Sequence, residues 1–253
     1  MADFRLDGRV AVVTGASRGI GLAIAQRLAD DGAAVVVTAR AREPLQLAVA
    51  HLGGAGHALG VAGKADDPVH QDDTIQQAIA TFGGVDFLVN NTGINPAYGP
   101  MVEVDLGAAR KIVEVNCIAA LSWVQKAYRA WMKQHGGSIV NVSSLGATRV
   151  APEIGFYCAS KAMLNAITEN LAVELGPGIR VNGVAPAVVK TKFATALYKG
   201  REDEVAAPYP LKRLGEPADI GSVVAFLLSA DADWITGQTV VIDGGVSLAA
   251  PTK

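Results

Sequence analysis

At 253 residues, 50% hydrophobic and 18% charged, the chain can bury a full core, and its strands are expected to be covered on both faces or its surface between subunits. A formal net charge of −2, with no basic run, argues against nucleic acid or an acidic membrane surface as partner. No stretch approaches about 18 uninterrupted apolar residues, "MADFRLDGRV" lacks the marks of a signal peptide, and two cysteines without metal spacing predict neither a disulfide framework nor a metal site, so the cytoplasm is the expected location.

"RVAVVT" (9–14) reads as a buried strand that runs directly into "TGASRGIG" (14–21). Glycines at 15, 19 and 21 suit a turn that brings backbone close to a ligand. Gly15 can take a strained conformation, Gly19 permits close approach, and Gly21 lets the next helix pack. The N–H groups opening that helix would then face an anion, with the helix dipole adding attraction. A tight turn without a ligand is the alternative reading. "IGLAIAQRLADDG" (20–32) is the helix, closed by Gly32, and "AAVVVTA" (33–39) is the second strand. Dinucleotide sites usually place Asp or Glu about 20 residues beyond the glycines, to hold a ribose 2′-OH. Here Ala39 stands in that place, with Arg40 next to it and Arg18 inside the turn. A carboxylate would repel a 2′-phosphate, whereas guanidinium groups bind one bidentately. NADP(H) is therefore expected in preference to NAD(H), unless both arginines are merely solvated.

A helix over about 43–52 follows, then a weak strand near 57–62, a helix from His70 to Gly83 and the strand "VDFLVN" (85–90). A long helix over about 103–135 precedes the strand "GSIVNVS" (137–143) and the helix "FYCASKAMLNAITENLAVELG" (156–176). After the strand "IRVNGVA" (179–185), segment 191–209 is less regular and more charged. A helix (217–230) and a strand (239–245) complete the pattern. Such alternation predicts a parallel sheet with helices on both faces. No repeat or linker divides it, so one domain over 1–253 is expected. The four histidines, His51, His57, His70 and His135, follow no metal pattern and are expected at surface or turn positions. In the 156–176 helix, Met163, Ile167, Leu171 and Leu175 form an apolar stripe for the sheet or a neighbouring subunit. Tyr157 and Lys161 lie off it, one turn apart. A phenol of pKa near 10 is poorly matched to neutral pH, and a neighbouring ammonium would stabilise tyrosinate and lower that value. Alone, the pair is a weak signal.

Several motifs recur together: "TGASRGIG", "NNTG" (90–93), Asn116 in the long helix, "NVSS" (141–144), "YCASK" (157–161), "VAPAVVKT" (184–191) and "ITGQTVVIDGG" (235–245). In order and spacing, over nearly the whole chain, they resemble the classical short-chain dehydrogenases/reductases, nearest to 3-oxoacyl-(acyl carrier protein) reductases. The resemblance implies a Rossmann-type doubly wound sheet of seven strands in the order 3-2-1-4-5-6-7, and a homotetramer. It assigns catalysis to Tyr157, Lys161, Ser144 (selected over Ser143 by its spacing to the tyrosine) and Asn116. Tyr157 would give a proton to the substrate oxygen and Ser144 would hold that oxygen. Lys161 would tune Tyr157 and reach the nicotinamide ribose, and Asn116 would anchor a water feeding Lys161. A strand-end cap at Ser144 and a backbone-bonding role for Asn116 stay open. Cofactor contacts are implied for Gly15, Ser17, Arg18, Gly19, Ile20 and Gly21 in the turn, and for Arg40, Asn90, Gly93, Tyr157, Lys161, Pro186, Val189 and Thr191. Asn90 would also tie the fourth strand to its neighbours. Asp66 is the weaker candidate for the adenine amino group, because Lys64 occupies the aligned place.

Thr92 stands where the family usually has Ala, and Ala187 where Gly is usual; a positive φ at Ala187 would cost about 1 kcal/mol. Segment 191–210, with Phe193, Leu197 and Tyr198, is expected to form a substrate lid. Asn95, Pro96, Tyr98 and residues 150–154 would complete a mostly apolar pocket. That pocket suits a 3-oxoacyl thioester or another lipophilic ketone better than a polyol. A broad alcohol or hydroxysteroid dehydrogenase is the second reading, and a non-catalytic nucleotide-binding regulator the third. Lys126, Arg129 and Lys133 share a helix face that would suit an acidic acyl carrier or, equally, solvent or a subunit rim.

Overall fold

The computed structural model describes residues 6–249. Residues 1–5, part of the stretch read above as carrying no signal peptide, and residues 250–253 lie outside the described residues. In chain order the elements begin with β1 (Val10–Val13), α1 (Gly19–Asp30), β2 (Ala34–Ala39), α2 (Arg42–His51), β3 (Ala58–Ala62), α3 (Pro68–Phe82) and β4 (Phe87–Asn90). Next come α4 (Leu106–Val113), α5 (Ala119–Ala127), α6 (Lys133–His135), β5 (Gly137–Val142), α7 (Gly155–Leu175) and β6 (Ile179–Pro186). The short α8 (Thr195–Tyr198) and α9 (Glu202–Ala206) precede α10 (Pro217–Leu228) and β7 (Thr239–Ile242). The seven strands form one parallel sheet in the order β3-β2-β1-β4-β5-β6-β7.

Alternation along the strands divides the core between the two faces. Ala11, Val13, Val35, Val37, Val89 and Val140 point to one face, where they pack with Ile24 of α1, Leu45 of α2 and Val224 of α10. Val12, Val36, Leu88, Ile139 and Val181 point to the other, against Ile75 of α3, Trp123 of α5 and Leu171 of α7. The apolar stripe of α7 is used in this way: Leu171 is buried and Ile167 and Leu175 pack on the second core, while Met163 remains exposed.

The single long helix expected over 103–135 is interrupted. Helical backbone runs from 106 to 135, but π-helical turns at Glu114–Ile118 and Tyr128–Met132 join α4, α5 and α6. Segment 191–209 folds into α8 and α9 with connecting turns. His70, expected at the surface, is buried in α3 with its ring edge-on to Trp123. A Cβ on Gly63 would strike that ring, so the glycine makes room for the histidine under the loop after β3. Among the described residues no helix is long and apolar enough to cross a membrane. Cys117 and Cys158 are free and buried, and no metal-binding cluster occurs among the described residues.

Candidate active site

Parallel strands deliver all their carboxyl ends to one edge, and the sheet order reverses between β1 and β4. Doubly wound sheets bind ligands at that edge, in the crevice where the order reverses. The glycine turn lies there. Gly15 and Gly19 have φ of +65° and +60°, values that suit glycine. A Cβ on Gly15 would come within 2.8 Å of Thr92 Oγ1, and one on Gly21 within 2.6 Å of the Gly15 carbonyl oxygen. Gly21 is therefore needed inside the turn itself, rather than for packing the helix on the sheet. No side chain caps the start of α1, whereas Asp67 caps α3 and Glu216 with Asp219 boxes the start of α10. The uncapped N–H groups and backbone-lined cradle are what an anionic group would need. Ser17 and Ile20 are half-buried in this turn, Ile20 against the first core. Arg18, at the N-cap of α1, and Arg40, directly after β2, are exposed, and neither makes an ion pair among the described residues.

Asn91 holds this cradle, and no role was assigned to it from sequence. Its Nδ2 donates to the carbonyls of Thr14, at 2.8 Å, and Gly15, at 3.1 Å. Thr14 Oγ1 in turn accepts from the N–H groups of Asn91 and Thr92. The paired asparagines of "NNTG" were the available signal, since successive strand-end residues point opposite ways. Asn90 points away from the turn: its Nδ2 donates to Asn141 Oδ1 at 3.0 Å and to the Ala120 carbonyl at 3.2 Å, tying β4 to β5 and α5. Thr92 Oγ1 is buried without a partner. Ala187 has no positive φ, so it carries no backbone strain.

A second group gathers at the ends of β4 and β5. Lys161 is 3% exposed, and its Nζ donates to the Val142 carbonyl at 2.8 Å. A Cβ on Gly93 would lie 3.3 Å from that Nζ and 3.6 Å from Asn116 Oδ1, so Gly93 sits between Lys161 and Asn116. Asn116, in the first π turn, accepts from the Ile94 N–H at 2.8 Å and donates to the Ile94 carbonyl and Ser160 Oγ. Ser143 is buried, with its hydroxyl turned to the Lys161 carbonyl. Ser144 caps the turn Leu145–Ala147, its oxygen accepting from the Gly146 N–H at 3.2 Å, and its side chain favours the ionised form of Tyr157.

Burial sets the protonation of the central pair. It pushes Tyr157 up to about 12, against an opposing pull from the Ser144 side chain. It draws Lys161 down to about 8. The rise at Tyr157 is opposite to the lowering expected from a neighbouring ammonium. The physical reason is desolvation of the phenol, which outweighs the help of the Lys161 ammonium, 5.9 Å from the Tyr157 ring centroid and also bound to the Val142 carbonyl. Tyr157 therefore stays a protonated phenol at neutral pH.

The segment after β6 runs beside both groups. Thr191, beyond Pro186 at the end of β6, lies over the glycine turn: a Cβ on Gly19 would meet Thr191 Cγ2 at 3.4 Å. Buried Val189 accepts from the Thr191 hydroxyl at 3.3 Å and bridges to Gly215. Phe193, 56% exposed, brings its ring centroid to 6.2 Å from that of Tyr157. Lys190 pairs with Glu202 of α9 at 3.2 Å and with Glu216, which ties this segment to α10. Asp66, in the loop after β3, is engaged by Lys111, whose hydrogen bond lowers its pKa. Lys126 of the basic helix face pairs with Asp72 at 2.6 Å.

A family model described as Enoyl-(Acyl carrier protein) reductase matches residues 15–247. Dehydrogenase/reductase SDR family member 4 of Sus scrofa is 41% identical over 251 residues, covering 96% of this chain and 88% of that protein. Among solved structures, a short-chain dehydrogenase/reductase (glucose/ribitol dehydrogenase) from Brucella melitensis is 36% identical, with a TM-score of 0.91 over 96% of this chain and 98% of its own. A blue fluorescent protein from a metagenomic library, in complex with NADPH, is also 36% identical, with a TM-score of 0.87 over 96% and 99%. By these matches the chain belongs to the short-chain dehydrogenase/reductase family, and it is an NAD(P)-dependent oxidoreductase of alcohols and ketones.

Proposed function

We propose that the protein uses NADPH to reduce a ketone to a secondary alcohol, with a 3-oxoacyl thioester as substrate. The observation that carries this reading is the convergence of Tyr157, Ser144, Lys161 and Asn116 beside the glycine turn. The cofactor, when bound, supplies the hydride. Gly15, Gly19 and Gly21, with the uncapped start of α1, fit its diphosphate, a cradle that a Cβ at Gly15 or Gly21 would fill. Arg18 and Arg40 fit a 2′-phosphate, and the NADPH bound by the 36%-identical metagenomic protein supports that choice. Ser17, Ile20, Gly93, Pro186, Val189 and Thr191 complete the cofactor contacts, with Asn90 and Asp66 as supports of its adenine end.

Tyr157 enters as the protonated phenol and gives its proton to the substrate oxygen, which Ser144 holds. The tyrosinate left behind is stabilised by the Lys161 ammonium, charge against charge in a site with little water. Asn116 holds the water through which Lys161 is recharged. Its π turn shifts backbone hydrogen bonding away from the usual spacing, as π turns at functional sites do. Segment 191–210 acts as the lid of a single catalytic domain, working as a cytoplasmic homotetramer. The acyl group is recognised by the pocket; on the basic helix face Lys126 is paired to Asp72, which leaves Arg129 and Lys133 for an acidic acyl carrier. Phe193 beside Tyr157 favours a second reading, a broad reductase of lipophilic ketones.

Tyr157→Phe tests the chemistry. We expect NADPH binding by fluorescence to persist while reduction falls by about a hundredfold or more; unchanged turnover would sink the mechanism. Comparing 3-oxoacyl thioesters with steroid and simple ketones decides between the two substrate readings.

A further inference from the structure

Ser144 begins its turn in extended backbone, with φ −159° and ψ 150°. Its hydroxyl oxygen takes the Gly146 N–H at 3.2 Å, so the direction of that hydroxyl depends on where the Gly146 amide lies. Gly146 is not among the glycines with positive φ, so backbone conformation does not demand glycine there. The neighbour does. A Cβ on Gly146 would lie 2.6 Å from Cys158 Sγ, too close for any real contact. The same Cβ would be 3.6 Å from Cys158 Cβ and 3.5 Å from Ser144 Oγ, ordinary contacts. The sulfur atom alone excludes a side chain at 146. Cys158 is buried, belongs to the first turn of α7 and directly follows Tyr157. As a thiol it behaves as a small apolar filler.

We propose that Gly146 and Cys158 are a matched positioning pair: the sulfur fills the volume of a side chain at 146 and holds the Gly146 amide where it aims Ser144 at Tyr157. Neither residue touches the reacting atoms. The inference rests on the reading that Ser144 holds the substrate oxygen, and it adds which residues set the aim. It also explains why the two pieces of the site stay in register. Tyr157 arrives on α7 and Ser144 on the end of β5, and the Gly146–Cys158 contact joins them one residue from the tyrosine and two from the serine.

The test measures kcat and KM for ketone reduction, and NADPH affinity by fluorescence, in Gly146→Ala, Cys158→Ala, the double variant, and Ser144→Ala with and without Gly146→Ala. Gly146→Ala should lower kcat by at least about tenfold through misplacement of Ser144, leaving NADPH affinity unchanged. The double variant should recover most of that loss, because Cys158→Ala removes the sulfur and leaves Cβ at an ordinary distance. In the Ser144→Ala background, Gly146→Ala should cost nothing more. Wild-type kcat in Gly146→Ala, a folded double variant without recovery, or an added loss on top of Ser144→Ala would each overturn the proposal. If Gly146→Ala does not fold, the double variant decides: folded and active supports the pair, anything else refutes it. A wild-type chain that reduces no ketone would refute the proposed function instead.

Discussion

Tyr157 and Lys161 are both driven by burial toward their uncharged forms, with opposite consequences for catalysis. A phenol held near 12 keeps its proton throughout the working range, which a proton donor needs. An amine held near 8 loses the charge that would stabilise tyrosinate as pH rises through that value. We therefore expect kcat/KM for reduction to be level below about pH 7 and to decline through about pH 8. A Lys161→Arg variant with measurable turnover should lose this limb, because guanidinium does not titrate there. A wild-type profile level to pH 9.5 would exclude Lys161 from the role. Arg40 carries a separate prediction: Arg40→Asp should reverse the NADPH/NADH ratio of kcat/KM, since a carboxylate repels a 2′-phosphate and binds a 2′-OH. An unaltered ratio would leave the preference without an explanation. Spacing to the tyrosine selected Ser144 over Ser143, and their hydroxyls do point to different places. The pKa direction of Tyr157 could not be read in the same way, because it depends on how deeply the fold buries the phenol.

The β1–α1 turn is one unit with the end of β4. Asn91→Ala removes two donors from the Thr14 and Gly15 carbonyls, and we expect a loss of about 1–3 kcal/mol in denaturant unfolding together with weaker NADPH binding. Gly21→Ala should abolish cofactor binding, because its Cβ would collide with the Gly15 carbonyl and the Asn91 amide. Retained binding in an isothermal titration would show that the turn can move. The glycines were legible in the sequence as a pattern; the clamp was not, because it joins residues 76 and 77 positions apart. The π turn at Asn116 was equally hidden, since its residues have ordinary helical composition. The short helices after β6 were visible only as irregularity. The closeness of Thr191 and Phe193, just before these helices, to Gly19 and Tyr157 arises because the chain leaves β6 at the same carboxyl edge of the sheet.

The whole molecule divides its core between two faces, and its strands read as near-continuous aliphatic runs because both faces are covered. Leu106, Ile118, Met163 and Val173 remain exposed on the helices of the second face. For the proposed tetramer we expect sedimentation equilibrium to give a mass of four chains, and Tm to rise with protein concentration. A monomer at all concentrations would refute it. The sequence by itself determined the order of elements, the parallel sheet and the glycine turn, since strand and helix periodicity are local properties; the tyrosine, lysine, serine and asparagine were proposed from motifs that resemble those of the family. Only the tertiary structure decided that His70 is buried, that Asn91 rather than Asn90 grips the turn, that Tyr157 rises while Lys161 falls, and that Cys158 abuts Gly146. Each of these depends on desolvation or on contact between residues brought together by the fold, quantities that linear spacing does not contain.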